Sequence, residues 1–354
     1  MDKSHRFLLY LLPILAVSFL FSALSCRKNP VVPPSPKDPR AYTWTVDTLE
    51  YPGSLQTTMY DIWGSSPTDV YVVGFTGDGG GEMWHFDGKN WSPVNLPFGM
   101  CNLSKILGFA PNNIYAVGDI YYQLGFDSLQ HGIYSDSSFI IHFDGTQWSN
   151  VDLSPRGGPL IGLWASSPTD VWTGGVGTLY HFDGTRWSKL NYPSDFSIRS
   201  VTGFSPQDVY FLSYNYPPSA YMKWFIEHYD GKVMTRLDST TGVPEKFGTN
   251  DILAVQPDVL YSVDLGVFKY DRQNWNKVFD NGSLIYGIEA FSTDNVFAVG
   301  PGIILQFNGR DWYRYNQFTD PNIQYTKAWT NGEEVFIEGP TLTYPTKTII
   351  LHGK

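Results

Sequence analysis

A chain of 354 residues with 16% aromatic and 16% charged residues, 34 Gly and 24 Pro is too aromatic for disorder and too turn-rich for a helical bundle. An all-β fold remains. The formal net charge of -10 excludes the basic face that nucleic acid requires, and two cysteines exclude a disulfide-stapled scaffold.

Residues 1–25 read as a signal peptide, with Lys3, His5 and Arg6 ahead of an apolar stretch from Phe7 to Leu24. The stretch ends in Ala23-Leu24-Ser25-Cys26, small residues before a cysteine, which resembles the lipobox of bacterial lipoproteins with Ala23 where Leu is usual. That resemblance implies cleavage before Cys26, lipid attachment to it, and a mature chain tethered in the bacterial cell envelope. The alternative is an uncleaved anchor of roughly the ~18-residue minimum that spans a bilayer. Residues 26–40 contain Pro30, Pro33, Pro34, Pro36 and Pro39 and read as a stiff polyproline-II spacer. Arg27, Lys28, Lys37 and Arg40 make it basic, suited to anionic headgroups. Once Cys26 is lipidated, Cys101 is the only thiol left.

From residue 41 onward one unit recurs seven times. The segment YDIWGSSPTDVYVVG…MWHFDGKNW (60–91) is matched by IGLWASSPTDVWTGG…LYHFDGTRW (161–187), and looser copies start at Lys105, Ser200, Asp251, Gly287 and Thr326. Each copy reads as four short strands, a to d: an apolar run, a turn at Pro67-Thr68-Asp69, the run Val70–Gly74, then Met83–Phe86, a two-residue Asp87-Gly88 hairpin signal, and a strand at Trp91. Seven units over residues 41–354 give about 45 residues each, the length of a propeller blade. The last copy lacks strand d, and Tyr42–Asp47 resembles the missing piece. The expected fold is therefore an all-β, seven-bladed β-propeller with four antiparallel strands per blade, closed by the N-terminal strand against Thr348–Leu351. One column then reads Trp44, Trp91, Trp148, Trp187, Met234, Trp275 and Trp312. The repeat resembles BNR or Asp-box propellers, sialidase-like and photosystem-assembly-factor-like proteins among them; Asp87-Gly88-x-x-Trp91 keeps their Gly-to-Trp spacing with one residue fewer between Asp and Gly.

His85, His142, His181, His228 and His352 fall at one strand-c position, with Lys269 and Gln306 in the other blades. Blades fan outward, so these groups cannot converge on a metal; one local hydrogen bond per blade is the expectation, with no cofactor. No GxSxG elbow, Walker loop or HExxH motif is present, and the arginine cluster of sialidase-like enzymes is missing. In strand a, the column Asp61, Lys105, Gly162, Ser200, Asp251, Gly287, Thr326 varies while its neighbours stay apolar. Asp61, Lys105, Arg199, Asp251 and Glu289 are thus candidate channel residues.

Insertions collect in the b-to-c connections, chiefly residues 119–138 and 213–223, and bring Tyr121, Tyr122, Phe126, Tyr134, Tyr214, Tyr216, Tyr221 and Tyr344 to one face. Tyr-rich loops on a rigid scaffold suit a protein segment or a glycan. The expectation is a monomeric, non-catalytic binding ring. The alternatives are a carbohydrate-active hydrolase or lyase at the channel mouth, and a structural subunit of an envelope assembly.

Overall fold

Period-two alternation in every repeat buries both faces of a small meander, and seven such meanders stacked around an axis hide each other's apolar faces. The computed structural model describes residues 37–77, 80–126, 132–215, 221–242, 246–257 and 259–354, with backbone alone at 122–126, 132–135 and 281. The signal-peptide, Cys26 and most of the spacer expectations lie outside these residues. Among the described residues no helix is long and apolar enough to cross a membrane.

Strand β1 (Trp44–Leu49) precedes the first blade, which comprises β2 (Thr57–Ser66), β3 (Asp69–Thr76), β4 (Met83–Phe86) and β5 (Trp91–Pro93). The second is β6 (Cys101–Ala110), β7 (Asn113–Phe126), β8 (Gly132–Phe143) and β9 (Trp148–Asn150); the third is β10 (Leu160–Ser167), β11 (Asp170–Gly175), β12 (Thr178–Phe182) and β13 (Trp187–Lys189). The fourth is β14 (Phe196–Ser205), β15 (Asp208–Asn215), β16 (Lys223–Tyr229) and β17 (Met234–Thr241). The fifth is β18 (Asp251–Gln256), β19 (Val259–Tyr270) and β20 (Trp275–Leu284), and the sixth is β21 (Gly287–Ser292), β22 (Asn295–Gly300), β23 (Ile303–Phe307) and β24 (Trp312–Arg314). The seventh joins β25 (Lys327–Thr330), β26 (Val335–Pro340) and β27 (Thr348–Gly353) to β1, in register from Trp44↔Gly353 to Leu49↔Thr348. Closure by the N-terminal strand is thereby observed, and β25 packs against β2 to complete the ring.

The fifth blade has three strand runs because β19 holds strands b and c together. Its first half pairs with β18 and its second with β20. Lys269 Nζ lies 5.4 Å from the Tyr261 ring, whereas eight residues of straight strand would hold them about 26 Å apart, so the chain folds back at Leu265-Gly266, where Gly266 takes φ 115°.

Seven apolar clusters fill the seven blade junctions. The tryptophan column seals them. Trp91, Trp148 and Trp187 lie 5.2, 5.2 and 5.4 Å from Phe86, Phe143 and Phe182 of their own blades. Their edges reach Phe336, Tyr71 and Tyr115 of the preceding blades at 6.4, 6.4 and 6.0 Å.

Three local expectations change. The Asp-Gly turns span four residues: Phe86 pairs with Trp91, Gly88 alone takes positive φ, and the Asp87 carboxylate accepts the amides of Lys89 and Asn90 at 2.9 and 2.8 Å. Residues 119–126 and 132–138 are strand where a loop was expected, since β7 and β8 pair from Ile114↔Phe143 out to Phe126↔Gly132. The end of the spacer packs on the ring, with Pro39 buried, Lys37 over Tyr42 at 4.7 Å and Arg40 over Tyr313 at 4.9 Å.

Candidate functional site

The histidine column is structural in every blade that carries it. His85, His181 and His228 bond Asp69, Asp170 and Asp208 at 2.7, 2.6 and 2.7 Å; His142 bonds Asn113 at 2.8 Å and His352 bonds Glu334 at 2.6 Å. Each ring also stacks on a strand-b aromatic, as His85 does on Tyr71 at 4.2 Å. Gln306 makes the equivalent bond to Asn295 at 3.0 Å. No group of His, Cys, Asp and Glu among the described residues could hold a metal ion. Cys101 is buried, and burial together with nearby Glu82 and Asp119 pushes its thiol up to about 12, too high to supply a thiolate nucleophile.

The channel is organised in rows set by the inner strands. A bulge in each of the first four blades puts one extra residue ahead of Asp61, Lys105, Gly162 and Ser200. Those bulged residues, Tyr60, Ser104, Ile161 and Arg199, join Asn250, Tyr286 and Thr326 from the last three blades to rim a mouth of about 320 Å³. The rim lies on the b-to-c side, and Arg199 belongs to it, exposed and without an ion pair among the described residues.

One row deeper stand Asp61, Lys105, Ser200 and Asp251, and register assigns Lys327, not Thr326, to this row in the seventh blade, because Ala328 pairs with Ile337 as Ile62 pairs with Val72. The row fastens blades together. Asp61 accepts the Ile106 amide at 2.9 Å with Lys105 Nζ 3.5 Å away. Asp251 accepts Ser200 Oγ at 2.7 Å, Lys327 Nζ at 2.8 Å and the Ile288 amide at 3.3 Å. Burial opposes the charge on Asp251, yet Lys327 and Lys105 hold its carboxyl at about 2. Glu338, fully buried and bonded by Thr326, is pushed well above the usual range by burial.

Deeper again, on the turn side, the row opposite the strand-b aromatics comprises Trp63, Leu107, Trp164, Thr202, Leu253, Glu289 and Trp329. Of the expected channel residues, Asp61, Lys105 and Asp251 form the central charged layer, Arg199 the outer rim, and Glu289 this inner row. The tryptophans of this row escaped sequence reasoning, because a conserved-looking apolar position in a strand reads as core. They line a second compartment of about 470 Å³ below the charged layer.

The tyrosine set divides. Tyr221 and Tyr344 are 79% and 73% exposed on the b-to-c face. Tyr121 is 37% exposed, and its phenol oxygen accepts Asn102 Nδ2 at 2.8 Å; Asn102 also reaches Asp119, which burial raises to about 6. Tyr214 instead packs half-buried on Trp224 of its own blade at 4.9 Å. Tyr122, Phe126 and Tyr134 lie on the β7–β8 hairpin by backbone alone, and Tyr216 falls outside the described residues. Leu55, Tyr60, Met100, Val176, Leu265 and Leu342 add exposed apolar groups to the same face, so nine of the fourteen exposed large hydrophobics among the described residues gather there. Tyr60 is a bulged residue of β2 and Leu342 shares the connection that carries Tyr344, while the short d-to-a and b-to-c connections at Leu55, Met100, Val176 and Leu265, which insertion length does not flag, supply the other four.

No family model matches the chain, and a search of curated proteins returns no match. Solved structures do share the fold. One described as YCF48 bound to D1 peptide superposes with a TM-score of 0.60 at 15% identity, over 90% of this chain and 98% of that one. The extracellular domain of the one-component system BT4673 from B. thetaiotaomicron gives a TM-score of 0.56 at 10% identity, over 87% of this chain and 42% of that longer one. At such identities the likeness establishes the seven-bladed propeller and nothing narrower.

Proposed function

We propose that the mature chain is an exported, lipid-anchored, non-catalytic ring that binds a peptide segment of a partner protein on its b-to-c face. The observation that carries the reading is that nine of the fourteen exposed large hydrophobics among the described residues, Tyr, Leu, Met and Val side chains, lie on the b-to-c face, since monomeric proteins seldom collect such groups on one side without a partner. A propeller neighbour described as bound to a peptide supports it by analogy of fold. The enzymatic reading loses ground at the mouth: Asp251, its carboxylate, is saturated by Ser200, Lys327 and the Ile288 amide and has no free lone pair positioned for proton transfer.

The test is panning of a displayed peptide library against the purified ring. Replacing Tyr121, Tyr221 and Tyr344 together by Ala should abolish retention of the selected peptides while the melting temperature stays within about 2 °C, as expected for exposed groups. Equal retention by the variant would overturn the reading.

A further inference from the structure

We propose that the turn-side compartment of the channel is a separate binding site for a small organic cation of the alkylammonium class. The compartment lies across the charged layer from the mouth and shares no exposed tyrosine with it.

Its wall is aromatic by construction. A methyl group on Gly108 would meet Cη2, Cζ2 and Cζ3 of Trp63 at 2.4, 2.5 and 2.8 Å, so the six-membered ring of that indole packs directly against the glycine of the next blade. Trp164 covers Gly203 in the same manner, with Cη2 and Cζ2 at 2.6 and 2.7 Å, and Trp329 approaches Gly64 at 3.1 Å. One edge or face of each ring is thus committed to a blade junction while the residue remains half-buried against the cavity. Three half-buried indoles in one row thus line the cavity, and an aromatic wall of this kind suits a cation.

The same row carries a single carboxyl. Glu289 stands where the other blades hold Trp, Leu or Thr; its hydrogen bond goes to the amide of Ala290, next in its own strand, at 3.3 Å, and its one link to the next blade is a 3.9 Å ion pair with Lys327. Lys327 does not neutralise it closely. That ammonium donates to Asp251 at 2.8 Å and to the Ile288 carbonyl at 3.0 Å, leaving Glu289 at 3.9 Å. Deep placement pushes the Glu289 carboxyl up to about 7, with Asp251 and Asp61 adding to the rise and Lys327 opposing it. Yet 29% of its side-chain surface still meets the channel. A carboxylate whose one cation is distant and shared with Asp251, set in a row with three indoles in a cavity of about 470 Å³, matches a methylated or primary ammonium better than it matches an anion or an uncharged hydrocarbon.

Binding of a fixed positive charge favours the ionised carboxylate, so affinity should rise with pH through the range in which Glu289 loses its proton. The charged groups acting on it are Lys327 from β25, Asp251 from β18 and Asp61 from β2, the last paired with Lys105 from β6 at 3.5 Å. Asp251 at about 2 and Lys327, held above the usual lysine range against burial by Asp251 and Glu289, do not titrate in that interval.

Tryptophan fluorescence of the full ring is titrated with choline chloride, with sodium chloride as the ionic-strength control and methyl glucoside as a neutral ring of similar size. Choline should quench saturably, and its affinity should increase between about pH 6 and pH 8. Glu289→Gln, nearly isosteric, should weaken binding about tenfold and remove the pH dependence; Trp329→Leu should weaken it with the Glu289 pH profile retained. Circular dichroism of both variants verifies the ring. Absence of saturable quenching by choline, unchanged affinity in Glu289→Gln, or quenching by methyl glucoside in place of choline would each overturn the assignment. Peptide retention on the opposite face is read independently, so the two proposals fail separately.

Discussion

Trp44 pairs with Gly353, which places β1 beside β27 and makes the ring continuous. A methyl on Gly353 would meet the Trp44 ring at 3.0 Å, so the glycine is what lets the indole lie across the junction. β1 contributes to two cores at once: Leu49 to the junction of the seventh and first blades, and Trp44, with Tyr42 just ahead of it, to the junction of the sixth and seventh. Removing residues 41–49 should therefore abolish cooperative unfolding, and Leu49→Ala should lower stability by about 2–5 kcal/mol. Chemical denaturation checks both; a normal transition in the deletion would contradict closure as the stabilising device.

Stability should change with pH at two ends for two different reasons. Asp251 has a folded-state value below its unfolded one, so its contribution is present above the ordinary carboxylate range and disappears as pH falls toward about 2. Glu289 is the reverse case. Its folded-state value is raised, so its contribution is complete below the unfolded value and is lost as pH rises through about 7. Melting curves from acid to neutral pH should show Asp251→Asn flattening the acid limb and Glu289→Gln flattening the neutral one.

Arg272 adopts φ 75° at the turn position that Gly88, Gly145, Gly184, Gly231 and Gly309 fill in other blades. A side chain in left-handed backbone costs about 1–2 kcal/mol, so Arg272→Gly should raise the unfolding free energy by about 1 kcal/mol after the entropic cost of glycine. The measurement is the denaturant midpoint at unchanged slope.

Cys26→Ser should shift the protein from the membrane fraction to the soluble extract, because a single acylated cysteine is the proposed tether. Fractionation followed by immunoblotting reads the result. Retention in the membrane would favour the uncleaved apolar anchor.

How far the sequence speaks depends on the range of the interaction. The repeat, the blade count and the closing strand were legible because each rests on local signals: alternation, a Trp at the start of strand d, a His at one position of strand c. The exposed Tyr221 and Tyr344 were legible because they break the repeat. Thr326 was assigned to the row that Lys327 occupies, since a one-residue offset between the seventh copy and the first is enough, with period-two alternation, to put the wrong side chain in the channel. Glu289 was legible as a channel residue, but the tryptophans that share its row were not. Residues from Trp63 to Trp329 meet there only because seven inner strands converge on one axis, and whether a half-buried indole faces core or cavity depends on the glycine of the neighbouring blade. Local pattern determined the ring; its closure around an axis decided what the ring encloses.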